Sequence, residues 1–437
     1  MLKTHTDRQL YKARTIFEIL FCIYGLLVYT ERLFAVIGSF LPGVMGAVRY
    51  SIFGISFVLL LLRPKTLFRI LPRISLFWLF YGFCGLSILW SIFPELTTKG
   101  FLQVIVQITL FSLYFVSRFS PKDQLRIIGV AMAITVMVNM FYVAAIPAIG
   151  IHIGDKFDGA WKGFYQNKNQ FSGMMLWALA VFSLLSFKDT NKFVVTLGRL
   201  GLLICPMLVI LSTSKTALVL FIFLSSSLIL WNTYRWRGGK TILMLDLGML
   251  TSFWVIGGIV VSWGNLTSAL GKDPTISGRT EIWAAAITMI RQRPLLGYGF
   301  SAFWTEDNPS ALWIGASLHE GFYPSHAHNG FIDILLDIGW IGMALFLVVF
   351  LSTWLAALKY AYRPGSPEDF WPLAVMLLVT SYNLTETSLL RVGIDWLFFI
   401  MAALSMQIWS QTNAYSREQY RERSTAAKPI ALHSTAK

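Results

Sequence analysis

Apolar runs of roughly twenty residues alternate with short polar segments along most of this chain. A helix needs about 20 predominantly apolar residues to cross the hydrocarbon core of a bilayer. Twelve such runs can be read, at roughly 15–35, 43–62, 74–93, 100–117, 127–148, 171–187, 197–213, 216–232, 241–263, 335–358, 371–387 and 392–410. The pattern predicts an all-α polytopic membrane protein of about twelve transmembrane helices. Nine lie within 1–263 and three within 331–410. Residues 264–330 form the longest polar stretch, 150–170 a shorter one, and 411–437 a polar tail.

Composition agrees with that reading. Hydrophobic residues make up 56% of the 437 and charged residues only 13%, against about a quarter charged in soluble domains. Lysine and arginine collect in alternate loops: Arg8 and Arg14, then Arg63 and Arg69, Arg118 and Arg126, Lys188 and Arg199, Arg235 and Lys240, Lys359 and Arg363. Positive loops stay in the cytoplasm, so the reading is a multi-pass inner-membrane protein with both termini cytoplasmic and the two long loops periplasmic. The first apolar run lacks a small-x-small cleavage site and reads as an uncleaved helix. The net charge of +14 is thus mostly topology, and no nucleic-acid partner is expected. Cys22, Cys84 and Cys205 fall in apolar runs without a CxxC pair, which speaks against a disulfide framework or a zinc site. No GxxxxGK[ST] cradle offers ATP coupling. No internal repeat suggests a transporter built from two related halves.

Polar chemistry gathers in the outward segments. Ser325-His326-Ala327-His328-Asn329-Gly330 runs directly into the apolar FIDILLDIGWIGMALFLVVF, and ionisable groups at such a boundary are functional-site candidates. Trp161-Lys162-Gly163 and Asn167-Lys168-Asn169 precede one span, and Ser212-Thr213-Ser214-Lys215 separates two others. In the long loop, Ile282, Trp283, Ala286, Ile287 and Ile290 recur at helical spacing. Arg279 and Glu281 stand at the start of that segment, Arg291 and Arg293 at its end. Pro294 should stop the helix, and LLGYGFSAFW after it reads as a tight aromatic turn packed on the membrane surface.

His328-Asn329, nine residues, Gly339, two residues, Gly342 resembles the His-Asn-x9-Gly-x-x-Gly pattern of the O-antigen ligase and polysaccharide polymerase superfamily. The GRTEIW, RPLLGYGF and HNGFIDILLDIGWIG segments look most like exopolysaccharide polymerases of the ExoQ type, and the likeness runs from about Trp161 to Gly342. The resemblance implies a GT-C-like, metal-independent inverting glycosyltransferase with no cofactor. Its substrates would be undecaprenyl-diphosphate-linked oligosaccharides in the lipid bilayer, with chain-length regulator and flippase proteins as partners. The reaction would be polymerisation of exopolysaccharide repeat units, or ligation of a polysaccharide to lipid A-core. Where many relatives carry arginine this chain has Lys162 and Lys215, which keep the charge but lose the bidentate fork.

A sugar on a lipid diphosphate is already activated, so the site must stabilise the departing diphosphate and receive the acceptor's proton. Arg279, Lys162, Lys215, Arg291 and Arg293 are candidates for the first task. A histidine, with an ordinary pKa of about 6.5, suits the second, and His328 is assigned to it. Asn329 and Glu281 are candidate orienting groups, and His326 is secondary. Each has a structural alternative: the histidines could bond loop backbone, Arg279 could pair with Glu281, the lysines could snorkel, and Asn167-Lys168-Asn169 reads as a helix-start cap. Zinc on His319, His326 and His328 fits by residue type but not by any known ligand spacing. Arg49, Asp246, Asp333, Asp337 and Asp395 are costly at depth and should pair within the bundle or lie near its ends. A flippase of lipid-linked sugars is the alternative from another class.

Overall fold

The computed structural model describes residues 5–30, 44–64, 67–68, 71–155, 157–186, 191–234, 248, 279–317, 323–362 and 367–408. The run at 241–263, the long loop up to 278, the tail at 411–437, Asp246 and His319 lie outside them. Among the described residues the fold is all-helical, with one isolated bridge between Ile151 and Trp161 and no strand.

In chain order the helices used below are α1 (His5–Tyr29), α2 (Val44–Leu61), α3 (Ser75–Leu86), α4 (Pro94–Gly100), α5 (Ile108–Arg118) and α6 (Pro121–Ala145). They continue with α7 (Lys168–Ser186), α8 (Lys192–Leu211), α9 (Lys215–Tyr234), α10 (Arg279–Gln292), α11 (Pro309–Ala316), α12 (Gly330–Ala361), α13 (Trp371–Asn383) and α14 (Ile394–Ile408). α4 passes through a π-helical turn at Phe101–Gln107 into α5, so Pro94–Arg118 is one continuous 25-residue helix. This helix, α6, α7, α8 and α12 are long and apolar enough to cross a membrane. α2, α3 with the turn after it, α9 and α14 are apolar but shorter.

Two cores result. The larger joins the spans and is rich in fully buried rings, among them Phe111, Phe115, Phe346, Trp396 and Phe399. The smaller joins α10 and α11 to the start of α12 through Ile282, Ala286, Met289, Tyr298, Phe303, Ile314 and Leu336. The apolar face seen in the long loop therefore covers the mouth of the bundle. Helix α10 ends at Gln292, two residues before Pro294, as expected from that proline.

The segment after Pro294 is more deeply built in than a surface turn. α12 breaks at Gly339, where φ is 62° and ψ −169°. The break frees backbone groups that residues 294–299 then satisfy. The N–H groups of Tyr298 and Gly299 donate to the carbonyls of Leu336 and Asp337, at 2.9 and 2.8 Å. Those of Trp340 and Ile341 donate to Pro294 and Leu295, at 2.8 and 3.2 Å. Chain this close leaves no room for side chains. A Cβ at Gly339 would stand 2.4 Å from the Leu295 oxygen, and one at Gly297 would stand 2.7 Å from three backbone atoms. Phe300 and Phe303 are fully buried beside the joint. The glycine of the His-Asn-x9-Gly pattern is thus where the loop locks into the helix.

Asp333, Asp337 and Asp395, three of the charges expected at depth, are partnered. Arg391 lies 3.5 Å from both Asp333 and Asp337, and Asp395 accepts from the Trp177 indole at 3.0 Å.

The joint predicts that Gly339→Ala destabilises the protein by at least about 1–3 kcal/mol, the cost of forcing a side chain into a glycine-only conformation. The thermal midpoint of the purified protein should fall clearly. It should hardly change for Gly82→Ala, where an added Cβ meets nothing within 4 Å. Equal midpoints for the two variants would contradict the locked joint.

Candidate active site

Five segments far apart in sequence converge at one end of the helices, and a carboxylate joins them. Glu386, in the turn between α13 and α14, is buried. Its Oε1 accepts from Arg279 Nη2 at 2.6 Å and from Asn169 Nδ2 at 3.0 Å. Its Oε2 stands 3.0 Å from His328 Nδ1. Asn169 Oδ1 in turn accepts from Ser214 Oγ at 3.0 Å. The start of α10, the start of α7, the turn before α9 and the histidine loop are therefore tied to one group.

Local sequence explains each placement. Asn329 caps α12 by accepting from the N–H groups of Phe331 and Ile332, the ordinary work of an asparagine at a helix start. Its Nδ2 donates to the Leu384 carbonyl, one turn from Glu386. His328 has a φ of 52°, a left-handed conformation sparse for non-glycine residues. It is held there by its neighbour on each side. The Ala327 N–H donates to Asp333 Oδ1 at 3.0 Å, and the Ala327 carbonyl accepts from the Trp283 indole at 2.8 Å. Asp333 Oδ1 also accepts from Trp304. Asn167 caps α7, accepting from Asn169 and Gln170, which aims Asn169 at Glu386.

The electrostatics follow from these contacts. Burial would raise the Glu386 carboxyl, but the His328 hydrogen bond and the Arg279 charge hold it below its ordinary value. It is therefore ionised at neutral pH and can only accept hydrogen bonds. A neutral His328 must then carry its proton on Nδ1, which leaves the Nε2 lone pair free for chemistry. The His328 side chain is 35% exposed while those of Glu386 and Arg279 are 10% exposed, so the ring is the open member of the group. His326 packs against His328 with ring centroids 4.1 Å apart, and its Nδ1 accepts the His328 backbone N–H. Burial and the neighbouring His328 push His326 down to about 4, so it is neutral at pH 7.

His326, His328 and Glu386 also offer ligand atoms within 4.8 Å of one another. Two imidazoles and a carboxylate are a donor set that zinc accepts. Here both Glu386 oxygens and His326 Nδ1 are already engaged, and the guanidinium of Arg279 would stand beside the ion.

Of the residues expected from the sequence, His328, His326, Asn329 and Arg279 meet here. Lys215 directly follows Ser214, and Lys162 lies in the loop whose Trp161 N–H donates to Leu211 at the end of α8. Arg291 and Arg293 are not brought to it. Twelve residues along a helix rise about 18 Å, which places Arg291 at the far end of α10 from Arg279. Arg293 lies over the Tyr298 ring. Glu281 is exposed and accepts from Thr280, so neither it nor the capping Asn329 makes the bond to His328. That bond belongs to Glu386, which sequence reasoning had placed within an apolar run. The polar cluster Asn383-Leu384-Thr385-Glu386-Thr387-Ser388 was the signal available.

The His326 environment predicts a pH-dependent stability. Unfolded, the ring binds a proton near its ordinary 6.5, but folded it resists until about 4. Stability therefore falls as pH drops from 6.5 to 4 and this contribution levels off below that. Glu386 is shifted in the same direction, and its contribution is present above the ordinary carboxylate value and is likewise lost as pH falls below it. His326→Gln should flatten the thermal-midpoint profile between pH 6.5 and 4 and leave the steeper acid limb. Parallel profiles for variant and parent would refute the buried neutral imidazole.

The comparisons with known proteins cover about a third of the chain. Residues 200–347 match the model of the O-antigen ligase family. The exopolysaccharide production protein ExoQ of Rhizobium meliloti is 30% identical over 151 residues, 32% of this chain and 34% of ExoQ. Putative polysaccharide ligases of Rickettsia prowazekii and Rickettsia typhi are 32% and 31% identical over 142 residues, 31% of this chain and 34% of each. The chain thus spans about a third of the length of the curated relatives it matches. Helix α10, the Gly339 joint and the histidine loop all fall within the residues that are similar to the O-antigen ligase family.

Proposed function

We propose that this protein polymerises exopolysaccharide repeat units at the periplasmic face of the bacterial inner membrane. In this reading about twelve helices span the bilayer, both termini are cytoplasmic, and the growing chain on undecaprenyl diphosphate is transferred to a lipid-linked acceptor. Chain-length regulator and flippase proteins would act beside it. The observation that carries the reading is the Glu386–His328–Arg279 group. One buried carboxylate fixes the tautomer of an open imidazole and the position of a guanidinium.

The reaction is a single displacement. The acceptor hydroxyl oxygen bonds to C1 of the donor sugar as its proton passes to His328 Nε2. The bond from C1 to the diphosphate oxygen breaks, and its electron pair leaves with the lipid diphosphate. Negative charge grows on that oxygen, where a preorganised cation is most effective. Arg279 supplies it, with Lys162 and Lys215 bordering the leaving group. One displacement without a covalent intermediate inverts the anomeric centre. Glu386 orients His328 and stabilises the imidazolium, and His326 packs against its ring. No metal takes part.

A ligase that passes the chain to lipid A-core is the second reading, favoured by the names of the Rickettsia relatives, putative polysaccharide ligases. Donor chemistry and cation placement would be the same, and only the acceptor differs.

The assay is conversion of purified lipid-diphosphate repeat units to longer chains, without nucleotide and with a chelator present. His328→Gln should lower the rate by about 10²–10⁴-fold, the usual contribution of a general base, in protein that inserts and accumulates normally. His326→Ala should be milder. Arg279→Ala should be severely impaired, with Arg279→Lys recovering a part because charge survives without the fork. Near-parent activity of His328→Gln would refute the base, and loss of parent activity in chelator would restore a metal. Transfer only to lipid A-core would select the ligase.

A further inference from the structure

Two histidines meet at the candidate site, and their contacts hold them in opposite tautomers. The His328 backbone N–H donates to His326 Nδ1 at 3.1 Å. That bond needs a lone pair on Nδ1, so the His326 ring carries its proton on Nε2. His328 has the reverse arrangement. Its Nδ1 stands 3.0 Å from Glu386 Oε2, and an ionised carboxylate only accepts, so the neutral ring carries its proton on Nδ1. One ring therefore presents an N–H at Nε2, and the other presents a lone pair there.

The loop itself builds this pairing. With a φ of 52°, His328 turns its backbone N–H to the side chain two residues earlier. The two rings then pack edge to face, with centroids 4.1 Å apart and planes 66° apart. A ring nitrogen of each and a Glu386 oxygen lie within 4.8 Å of one another. Neither Nε2 makes a hydrogen bond among the described residues. Both rings are half-buried while Glu386 is buried, so the two free nitrogens are the ends of the group that a substrate can reach. His326 is no second base. A further proton on its Nδ1 would set two N–H groups against each other. Burial and the neighbouring His328 push its pKa down to about 4, in keeping with that conflict.

We infer that His326 contacts the substrate directly, its Nε2–H donating to the acceptor hydroxyl oxygen whose proton His328 Nε2 receives. This contact rests on the transfer reaction proposed above. A hydroxyl has one hydrogen and two lone pairs, and each is used once. The hydrogen passes to His328, and one lone pair accepts from His326. The other forms the bond to C1 as the bond from C1 to the diphosphate breaks and its electron pair leaves. His326 gains and loses no proton. As the hydroxyl proton departs, negative charge grows on its oxygen, and a donor already aimed there stabilises it. The two tautomers thus divide the work on one oxygen atom.

Two amide side chains separate this contact from a purely structural one, because they imitate different ring nitrogens. Asparagine places its oxygen near Nδ1, so His326→Asn keeps an acceptor for the His328 N–H and has no donor at Nε2. Glutamine reaches the Nε2 position with its NH₂ group, so His326→Gln keeps a donor there. Glycan transfer between purified lipid-diphosphate repeat units is measured at matched amounts of folded protein. His326→Asn and His326→Ala should lower kcat about tenfold to a hundredfold, the range for a hydrogen bond to a charged group. His326→Gln should keep most of the rate. The reverse order, with Asn active and Gln impaired, would overturn the contact and leave His326 as a support for the loop. Parent-like rates in all three variants would overturn it too. The tautomers are read without activity, by nitrogen NMR of the full chain labelled with ¹⁵N at its six histidines. At neutral pH His326 should carry its proton on Nε2 and His328 on Nδ1. A proton on His326 Nδ1 would overturn the contact whether or not the variants fold. Loss of transfer in His328→Gln beside parent-like His326 variants would remove this contact and leave the reaction standing, whereas a parent protein without transfer would remove both.

Discussion

A buried carboxylate that must not be left alone organises one end of this protein. An ionised group away from water needs charge and hydrogen-bond partners, and removing one strands the others at a cost of several kcal/mol. Glu386 takes its partners from the start of α10, the start of α7 and the histidine loop. These lie 107, 217 and 58 residues away along the chain. Satisfying that one group assembles a cation, an amide and an imidazole in a fixed arrangement. The geometry of the candidate site follows from that electrostatic need.

Beneath it a backbone joint performs the mechanical part. The break at Gly339 exposes two carbonyls and two N–H groups of α12, and residues 294–299 fill all four. The aromatic residues that follow seal the joint, and Asp333 just above it ties Ala327 and Trp304 together. Asp333 and Asp337 are in turn held by Arg391, five residues after Glu386. The histidine loop is therefore clamped from both sides, which is how His328 can keep a left-handed backbone. Charge pairing and backbone pairing meet within a few turns of one helix.

Much of this was legible before any coordinates. The apolar runs pointed to a helical membrane protein. His328 and Asn329 stood out by position, and Pro294 marked the end of α10. Arg279 was visible as the cation opening a helical segment. Other parts were not readable because they depend on contacts across the fold. Glu386 lies at the edge of an apolar run, and nothing local says that its carboxylate turns toward residues far upstream. Asn169 looked like a cap, yet the capping residue is Asn167, which frees Asn169 for the carboxylate. Arg291 and Arg293 were grouped with Arg279 by sequence proximity, which a helix of that length converts into distance. Gly339 was seen as part of a motif, but its purpose appears only once the loop it receives is in place.

The most direct test of this account is the transfer rate of Glu386→Gln, measured with purified protein at matched folded amounts. The amide keeps the size of the carboxylate but carries no charge, and its NH₂ group must face one of the donors that the carboxylate accepted. His328 then loses the partner that fixes its tautomer, and Arg279 its counter-charge. The account predicts a fall of about 10²-fold or more, within the range expected for losing general-base catalysis, in protein that still folds. A rate within about twofold of the parent would mean that base positioning contributes little, and that Glu386 serves only to close the fold.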